Sequence, residues 1–335
     1  MKIALLANLK QNSPTWPGMP PDQWDNLNSW ETIQAVTVAL EKEGHRVVFL
    51  EGDSSLYNNL QAIRPDICFN LCEGHFGDAR GAQVPAILEM LRLPYTGSRI
   101  LTLALALDKP MTKRILSYHG LPVPAFQLFE REDEPIDPDL EFPLFVKPSR
   151  PLPEAEFKAG WLVTDEAQLR LQVALILARY NQPALVECYL EGREIMVGVV
   201  GNLVQPVARR LPEQATAARL FDGLCFLPPP DLPKNQLLDL NRLAAGAFRV
   251  MGCRDVALVS FKLDQTAGDK TYLWDIRPLP DLNPATSALC IQAQAAGWSY
   301  DYLINRLLEE AVKRQSQAHR LAAPAKRAEV KTMLV

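Results

Sequence analysis

The sequence predicts an α/β (α+β) chain with a parallel sheet at the N-terminus and an antiparallel hairpin near the C-terminus. Short apolar strands alternate with helices over the first hundred residues, which is typical of a parallel sheet. Residues 256–264 and 271–276 flank a short polar turn and alternate with period two, which predicts two antiparallel strands. The chain has 335 residues, 48% apolar and 22% charged. That length suits two or three domains with an ample core.

The N-terminal sheet is predicted from three apolar runs and the helices between them. Ser29 is placed to cap a helix that ends at Glu43, and residues 83–92 give a later helix. No GxGxxG follows the first strand, which excludes a dinucleotide-binding Rossmann unit. The predicted strands are residues 2–7, 46–50 and 66–70.

Two lysines on separate elements follow this sheet. Lys109 lies in a helical stretch over residues 100–119, and Lys147 ends an apolar strand over residues 142–147. Each supplies a mobile ammonium, so together they indicate an anion site, although a solvent-facing lysine is the alternative for either one. The strand at 184–189 contains Glu187 and leads into a polar turn, which suits a connection between domains.

The predicted hairpin carries a polar cluster on an otherwise apolar pair of strands. Ser260 and Lys262 share a face of the first strand, and Asp275 and Arg277 share a face of the second. Ordinary solvated or paired sheet residues are the alternative to a site. After it, residues 301–312 predict an amphipathic helix, and the basic segment 313–335 is expected to be a frayed tail.

Composition excludes several classes of function. A net charge of −4 does not suit general nucleic-acid or anionic-membrane binding, and no apolar run approaches the length of a membrane span. The chain starts directly with an apolar strand, so no signal peptide is expected. The six cysteines form no CxxC pair and lie mostly in apolar segments. They are expected to be reduced core residues of a cytoplasmic protein.

Six segments, taken together, resemble the D-alanine–D-alanine ligase-like ATP-grasp proteins over roughly residues 1–310. They are FNLCEGHFGDARGAQVPAILEML, LPYTGS, LALDKPMTKRIL, FPLFVKP, ECYLEGRE and GCRDVALVSFKLD…YLWDIRPLPDLNP. The resemblance implies an ATP-grasp fold in which an N-terminal domain precedes two α+β domains that sandwich a nucleotide. The implied divisions are 1–99, 100–186 and 187–312, with a basic, disordered tail at 313–335.

The resemblance also implies a chemistry and a set of nucleotide contacts. The family joins a carboxylate to an amine through an acylphosphate, with ATP and Mg²⁺ as cofactors. By position, Lys109 and Lys147 match phosphate-contacting lysines, and Glu194 matches a ribose-binding carboxylate. Glu187 and Leu190 match the hinge that binds adenine.

Expected partners of the chain are therefore a nucleotide and amino-acid-like small molecules, with a homodimer left open. In the first domain, Glu31 matches a carboxylate that holds a substrate amine, and Glu73 faces the same cleft. His75 and Arg80 are further substrate candidates. For His75 the alternative is an exposed loop residue without a role, and for Arg80 a surface salt bridge.

The chain departs from the family pattern where the chemistry takes place. The family has an arginine and an aspartate where this chain has Leu258 and Ser260, and a Glu-x-Asn metal pair where it has Asp275 and Arg277. Of these, only Asp275 is a good magnesium ligand. The glycine-rich lid of the family is replaced by SRPLPEAEFKAG at 149–160, and the loop at 220–228 lacks the family's further lysine.

Three hypotheses follow from these departures. The first is an ATP-binding pseudoenzyme in which ligation is weakened or lost, with Arg277 in place of a metal charge and Asp275 as the remaining catalytic carboxylate. The second is a working carboxylate–amine ligase with rearranged metal ligands, for which Asp264 and Asp281 are candidates. The third is a non-catalytic binding or scaffold protein that uses the first-domain cleft.

Overall fold

The computed structural model describes residues 1–19, 23–150, 161–201 and 232–322, together with the short strands at 220–221 and 224–225. The predictions for the lid beyond residue 150, and those for most of the 220–228 loop, lie outside these residues. Within the described part of the chain, no helix is both long enough and apolar enough to cross a membrane.

The N-terminal sheet has three parallel strands, with the first strand in the middle, which confirms the predicted parallel arrangement. Helices cover both faces, so the central strand is almost wholly buried. Ser29 caps the first helix as predicted, since its hydroxyl accepts the backbone N–H of Thr32. The elements are β1 (Lys2–Ala7), α1 (Trp30–Lys42), β2 (Arg46–Glu51), α2 (Leu56–Ile63), β3 (Ile67–Leu71) and α3 (Gln83–Met90).

The helical stretch predicted over residues 100–119 is two helices, because Asp108 interrupts it. Asp108 has an extended backbone (φ −94°, ψ 92°), and its side chain accepts the N–H of Met111. Asp108 is therefore the N-cap of the second helix, and Pro110 in the first turn costs no intrahelical hydrogen bond. The two helices are α4 (Ile100–Leu107) and α5 (Lys109–Tyr118). The break places Lys109 at the very start of α5.

A four-stranded sheet, antiparallel at every described pairing, forms the next layer, in the order β4-β7-β5-β6. One long helix packs on it and buries Leu169, Val173 and Ile176. The predicted lysine-bearing strand begins two residues later than expected and contains Lys147. The elements are β4 (Phe126–Phe129), β5 (Leu144–Pro148), β6 (Leu162–Val163), α6 (Glu166–Tyr180) and β7 (Ala184–Cys188).

The predicted hairpin belongs to a three-stranded antiparallel sheet in the order β12-β11-β8. Its first strand has the bounds that the sequence predicts, and its second is one residue longer at each end. One face packs on α7 to form a core around Phe261, while the other face looks into the site described below. The elements are β8 (Gly192–Val200), β9 (Leu220–Phe221), β10 (Leu224–Cys225), α7 (Lys234–Val250), β11 (Val256–Asp264) and β12 (Lys270–Arg277).

The last two helices, α8 (Ala288–Ala295) and α9 (Tyr300–Ala322), return to the N-terminal sheet. Leu303, Leu307 and Ala311 of α9 pack in one core with residues of α1 and β1. The helix was predicted to end at residue 312, with a disordered tail after it. That prediction is wrong for residues 313–322, which continue α9, and Arg314 in this stretch reaches back to the buried carboxylate of Asp255. The rest of the predicted tail, 323–335, lies outside the described residues.

Candidate nucleotide site

A buried carboxylate, Glu187 on β7, lies between two lysines from different elements. Its Oε1 pairs with the Lys113 Nζ of α5, and its Oε2 pairs with the Lys147 Nζ of β5. Burial raises the pKa of the Glu187 carboxyl, but the two ammonium groups outweigh that effect and hold the pKa below its usual value. The structure thus brings together two predicted residues, Lys147 and Glu187. Lys113 had no predicted role.

A second ion-pair group surrounds Asp275 on β12. The Lys109 Nζ lies 2.5 Å from Asp275 Oδ1, and the Arg277 Nε lies 3.3 Å from Asp275 Oδ2. Burial lowers the pKa of Lys109, and the attraction of Asp275 opposes that shift. Three residues predicted for different roles therefore form one charged cluster: a phosphate-contacting lysine, a metal ligand and an arginine.

Glu194 on β8 forms the third carboxylate of the site. Burial raises the pKa of Glu194, and Lys262 on the neighbouring β11, whose Nζ lies 3.7 Å from Glu194 Oε2, opposes the shift. Gly192 opens β8, where a Cβ would lie 1.9 Å from the Leu263 carbonyl oxygen, so only glycine lets the strand approach β11 there. Leu190 is buried in the connection between β7 and β8.

Trp274 also lines the site, and the sequence interpretation gave it no role. Its ring centroid lies 4.1 Å from the Lys147 Nζ and 5.9 Å from the Lys262 Nζ. In the sequence, Trp274 is recognisable only as a tryptophan next to Asp275 in the second strand of the predicted hairpin. Its importance depends on cross-strand register, which periodicity alone does not supply.

Three of the substrate candidates lie in the loop that follows β3. Burial raises the pKa of the Glu73 carboxyl, and the positive charges of Arg80 and Arg277 oppose the shift. The structure therefore makes Glu73 an electrostatic neighbour of both arginines. His75 Nε2 lies 3.1 Å from Ser13 Oγ, its ring packs edge-on against Trp24, and burial lowers its pKa.

Glu31, the fourth substrate candidate, is exposed in the first turn of α1. Hydrogen bonds from its own backbone N–H and from Ser29 lower its pKa, as is usual for a carboxylate at a helix N-terminus. These contacts are local to the helix, and a substrate role for Glu31 stays a prediction.

The residues that the structure describes do not fit a magnesium site of the kind the resemblance implies. They contain no group of three or more His, Cys, Asp or Glu side chains that could hold a metal. Asp275 already pairs with two cations, and Ser260, directly opposite it in the sheet, is buried and neutral. The Asp264 carboxylate accepts the N–H of Thr266 in the hairpin turn.

Asp281, the other candidate for a replacement ligand, is also engaged locally, because its carboxylate accepts the N–H of Asn283. Mg²⁺ needs several oxygen ligands, and a guanidinium beside one of them opposes a dication.

Comparison with known proteins settles the family. A family model described as the D-Ala D-Ala ligase C-terminus matches residues 115–309, more than half of the chain. The chain belongs to the D-alanine–D-alanine ligase family. Among curated members, it is 31% identical over 304 residues to a D-alanine–D-alanine ligase from Pelotomaculum thermopropionicum, a match that covers 85% of this chain and 92% of that protein.

A further relative is uncharacterized protein y4sG from Sinorhizobium fredii. It is 33% identical over 339 residues, which covers 94% of this chain and 98% of that protein.

Solved structures of D-alanine–D-alanine ligase from Bacillus anthracis share the fold. One superposes with a TM-score of 0.74 at 21% identity and covers 95% of this chain and 99% of that one. Another, complexed with ATP, gives a TM-score of 0.71 at 21% identity and the same coverage. The predicted ATP-grasp fold is confirmed.

Proposed function

We propose that this chain is a nucleotide-binding ATP-grasp protein in which carboxylate–amine ligation is weakened or lost. The observation that carries the proposal is the cluster of Lys109, Asp275 and Arg277. The one metal-ligand position that keeps a carboxylate is bound on both oxygens by cations. The site therefore supplies positive charge from side chains where the family pattern supplies oxygen ligands for Mg²⁺.

The charge balance of the site supports binding of an anionic ligand. In the ion pairs centred on Glu187, Glu194 and Asp275, five cationic side chains face three carboxylates, so these pairs carry two more positive than negative charges. Glu73 and Asp281, which also attract Arg277, reduce this surplus when they are ionised. A triphosphate would be held by charge-assisted hydrogen bonds from the mobile ammonium groups. The cations are Lys109, Lys113, Lys147, Lys262 and Arg277, and the carboxylates are Glu187, Glu194 and Asp275.

The likeness to a ligase solved with ATP supports ATP as the nucleotide. An amino-acid-like molecule is proposed for the first-domain cleft, where a carboxylate, Glu73, lies near the guanidinium groups of Arg80 and Arg277. A cytoplasmic location is part of the proposal. The five described cysteines are free, and burial raises the pKa of Cys68 to about 12, which suits reduced core thiols.

Calorimetric titration of the protein with ATP, with and without Mg²⁺, tests this function. We expect ATP to bind with affinities that differ by less than about threefold between the two conditions, because side chains already supply the positive charge. Lys109→Met should weaken binding by about tenfold, the effect of losing one hydrogen bond to a charged group. Lys10→Met removes a lysine from an exposed ion pair with Asp25 and is the matched control. Absence of ATP binding would contradict the proposal and favour a scaffold role.

A second candidate, a working ligase with a rearranged site, is favoured by one feature of the sheet register. Leu258, at the position of the family's arginine, is the direct cross-strand partner of Arg277. Side chains of such partners leave the same face of the sheet, about 5 Å apart. Compared with the family pattern, the guanidinium is therefore supplied by β12 instead of β11. From β12 it can still face the oxyanion that develops in the reaction.

Exchanging the residues at positions 258 and 277 distinguishes a working ligase from a protein that has lost ligation. If ligation survives, Arg277→Leu should lower ADP release with amino acids by at least about 100-fold, since one oxyanion-stabilising group is lost. Adding Leu258→Arg should then recover part of that loss. ADP release indistinguishable from background in the unmodified protein and in both variants would support the first candidate and contradict the second.

A further inference from the structure

A second group of cations lies outside the nucleotide site, where the segment between α3 and α4 runs beside the segment that leads into β11. The N–H of Arg254 donates to Ser98 Oγ at 3.0 Å. Thr102 Oγ1 donates to the carbonyl oxygen of Gly252 at 2.9 Å. Gly252 has a φ of +66°, and a Cβ there would lie 3.4 Å from Arg99 Nη2, so the Arg99 guanidinium packs close to this backbone. The two segments therefore bring Arg99 and Arg254 to the same place.

Arg314 of α9 is the third cation of this group. Its Nε and Nη2 donate to the carboxylate of Asp255, the residue that follows Arg254, and Nη2 also donates to the Tyr95 carbonyl oxygen. Burial, and then repulsion by Arg314 and Arg99, lower the pKa of the Arg254 guanidinium, whereas Tyr95 and Asp255 oppose the shift. Arginine does not lose its proton in proteins, so the group keeps three positive charges.

These arginines outnumber the carboxylates beside them. Asp255 is fully buried and compensates Arg314. Arg99 and Arg254 form no ion pair with any residue that the structure describes. The next carboxylate is Glu89, which accepts the hydroxyl of the tyrosine whose carbonyl oxygen binds Arg314. Even with both acids ionised, three cations face two anions, and the fold holds like charges together that an anion between them would relieve.

The group is open to a ligand, because Arg99 is exposed and Arg254 is partly exposed. A guanidinium presents its N–H groups in a planar fork that binds two oxygens of a phosphate or a carboxylate at once. A single arginine fills both oxygens of a carboxylate. A phosphate group has further oxygens, so it can bridge two arginines. Phosphate is therefore the better match to a pair of unpaired guanidinium groups.

We propose that Arg99 and Arg254 bind a phosphate group between them, with Arg314 as a third positive charge that Asp255 holds in place. The ligand is inorganic phosphate or a phosphate ester of a small molecule. This site shares no residue with the candidate nucleotide site, and the inference does not rest on the proposed function. The bound anion joins the segment after α3, the start of the hairpin and α9, so its binding stabilises the folded chain.

Thermal unfolding in phosphate and in chloride buffers of equal ionic strength tests the site. Inorganic phosphate should raise the unfolding midpoint of the unmodified protein, because it binds the folded state. Arg254→Met and Arg99→Met should each remove this response. In chloride, Arg254→Met should be no less stable than the unmodified protein, since it removes a cation that its neighbours repel. A stability loss for Arg254→Met that is the same in both buffers would overturn the proposal, because the arginine would then be purely structural.

Calorimetric titration with inorganic phosphate gives the affinity directly. Arg254→Met should weaken it by about tenfold or more, the effect of losing hydrogen bonds to a charged group. Arg254→Lys should weaken it less, since the charge remains and only the planar fork is lost. Glycerol phosphate separates the two sources of the ligand: binding at least as tight as that of inorganic phosphate indicates an ester, and weaker binding indicates free phosphate. Both results support the site.

Arg242→Met is the matched control, because Arg242 is exposed on α7 and pairs with Asp239. It should keep the full response to phosphate. Lys109→Met should keep it as well, and Arg254→Met should change the ATP affinity by less than about threefold, since the two sites share no residue.

Three results would overturn the proposal or separate it from the proposed function. If phosphate stabilises the protein no more than chloride does, the arginines bind no phosphate. If Lys109→Met removes the phosphate response and Arg254→Met does not, the anion enters the nucleotide site alone, and the proposal is wrong while the proposed function stands. If the protein binds phosphate through Arg254 but does not bind ATP, the arginine site is supported and the proposed function fails.

Discussion

Ser260→Asp combined with Arg277→Asn is expected to make ATP binding depend on Mg²⁺. The double change removes the guanidinium 3.3 Å from Asp275 Oδ2 and places a second carboxylate on the residue directly across from Asp275. Two oxygen ligands then face each other, which is what a dication bridging phosphates requires. We expect Mg²⁺ to raise the ATP affinity of the double variant by at least about tenfold, since each ligand atom adds a charged interaction. The affinity of the unmodified protein should change by less than about threefold.

The matched control is Ser260→Asn combined with Arg277→Asn, which has nearly the same size and lacks the new negative charge. It should remain insensitive to Mg²⁺ in the same titration. If the variant that carries Ser260→Asp stays insensitive as well, the loss of metal binding has another cause than these two residues. If that variant also begins to release ADP in the presence of amino acids, erosion of the metal site is the reason that ligation was lost.

Local sequence predicted the elements that bear the site, because their signals are short-range. The alternation of residues 256–264 gives β11 its correct bounds, and Ser29 caps α1 as its hydroxyl and position predict. The antiparallel pairing of β11 with β12 was predicted from the same alternation, but its register was not. What alternation does not contain is the β-bulge of β12, which leaves Trp274 without a cross-strand partner in the register with β11. A bulge depends on how both strands pair, which the pattern of one strand does not show. The sequence therefore assigns no role to Trp274, the residue at the bulge.

The charged pairings of the site are long-range and were not predictable from patterns. Lys113 and Glu187 are 74 positions apart on a helix and a strand, and only the tertiary fold brings them together. The sequence indicated lysines as anion ligands, and the structure shows that each of them also neutralises a carboxylate. Buried charges are expensive to leave alone, so each carboxylate of the site acquires a cation from another element.

The end of α9 also could not be predicted from local sequence, because the contact that stabilises it is long-range. Residues beyond 312 are basic and weakly patterned, which favours a tail when judged locally. In the fold, the guanidinium of Arg314 donates to both oxygens of Asp255 and to the carbonyl oxygen of Tyr95, at distances of 2.7–3.2 Å. Asp255 also accepts the N–H of Gly97. One arginine therefore ties the last helix to the loop after α3 and to the start of the hairpin.

Arg314→Met should lower the free energy of unfolding by about 3 kcal/mol, because Asp255 is fully buried and would lose its cation. Arg314 itself keeps some solvent contact, which places the expected effect at the lower end of the range for a broken buried pair. Asp255 has a φ of +63°, a conformation that asparagine also tolerates, so Asp255→Asn removes the charge without added backbone strain.

The two changes together form a double-mutant cycle measured by urea unfolding. Asp255→Asn in the Arg314→Met background should be much less destabilising than Asp255→Asn alone, since the asparagine then leaves no unpaired charge. Lys313→Met is the neighbouring control, because Lys313 is exposed and its surface pairs contribute little, so the shift should stay within about 0.5 kcal/mol. A loss of stability for Lys313→Met equal to that for Arg314→Met would show that the helix end, and not the bond to Asp255, carries the effect. A large specific loss would establish that the bond between Arg314 and Asp255 holds the C-terminal helix to the start of the hairpin that carries Ser260 and Asp275.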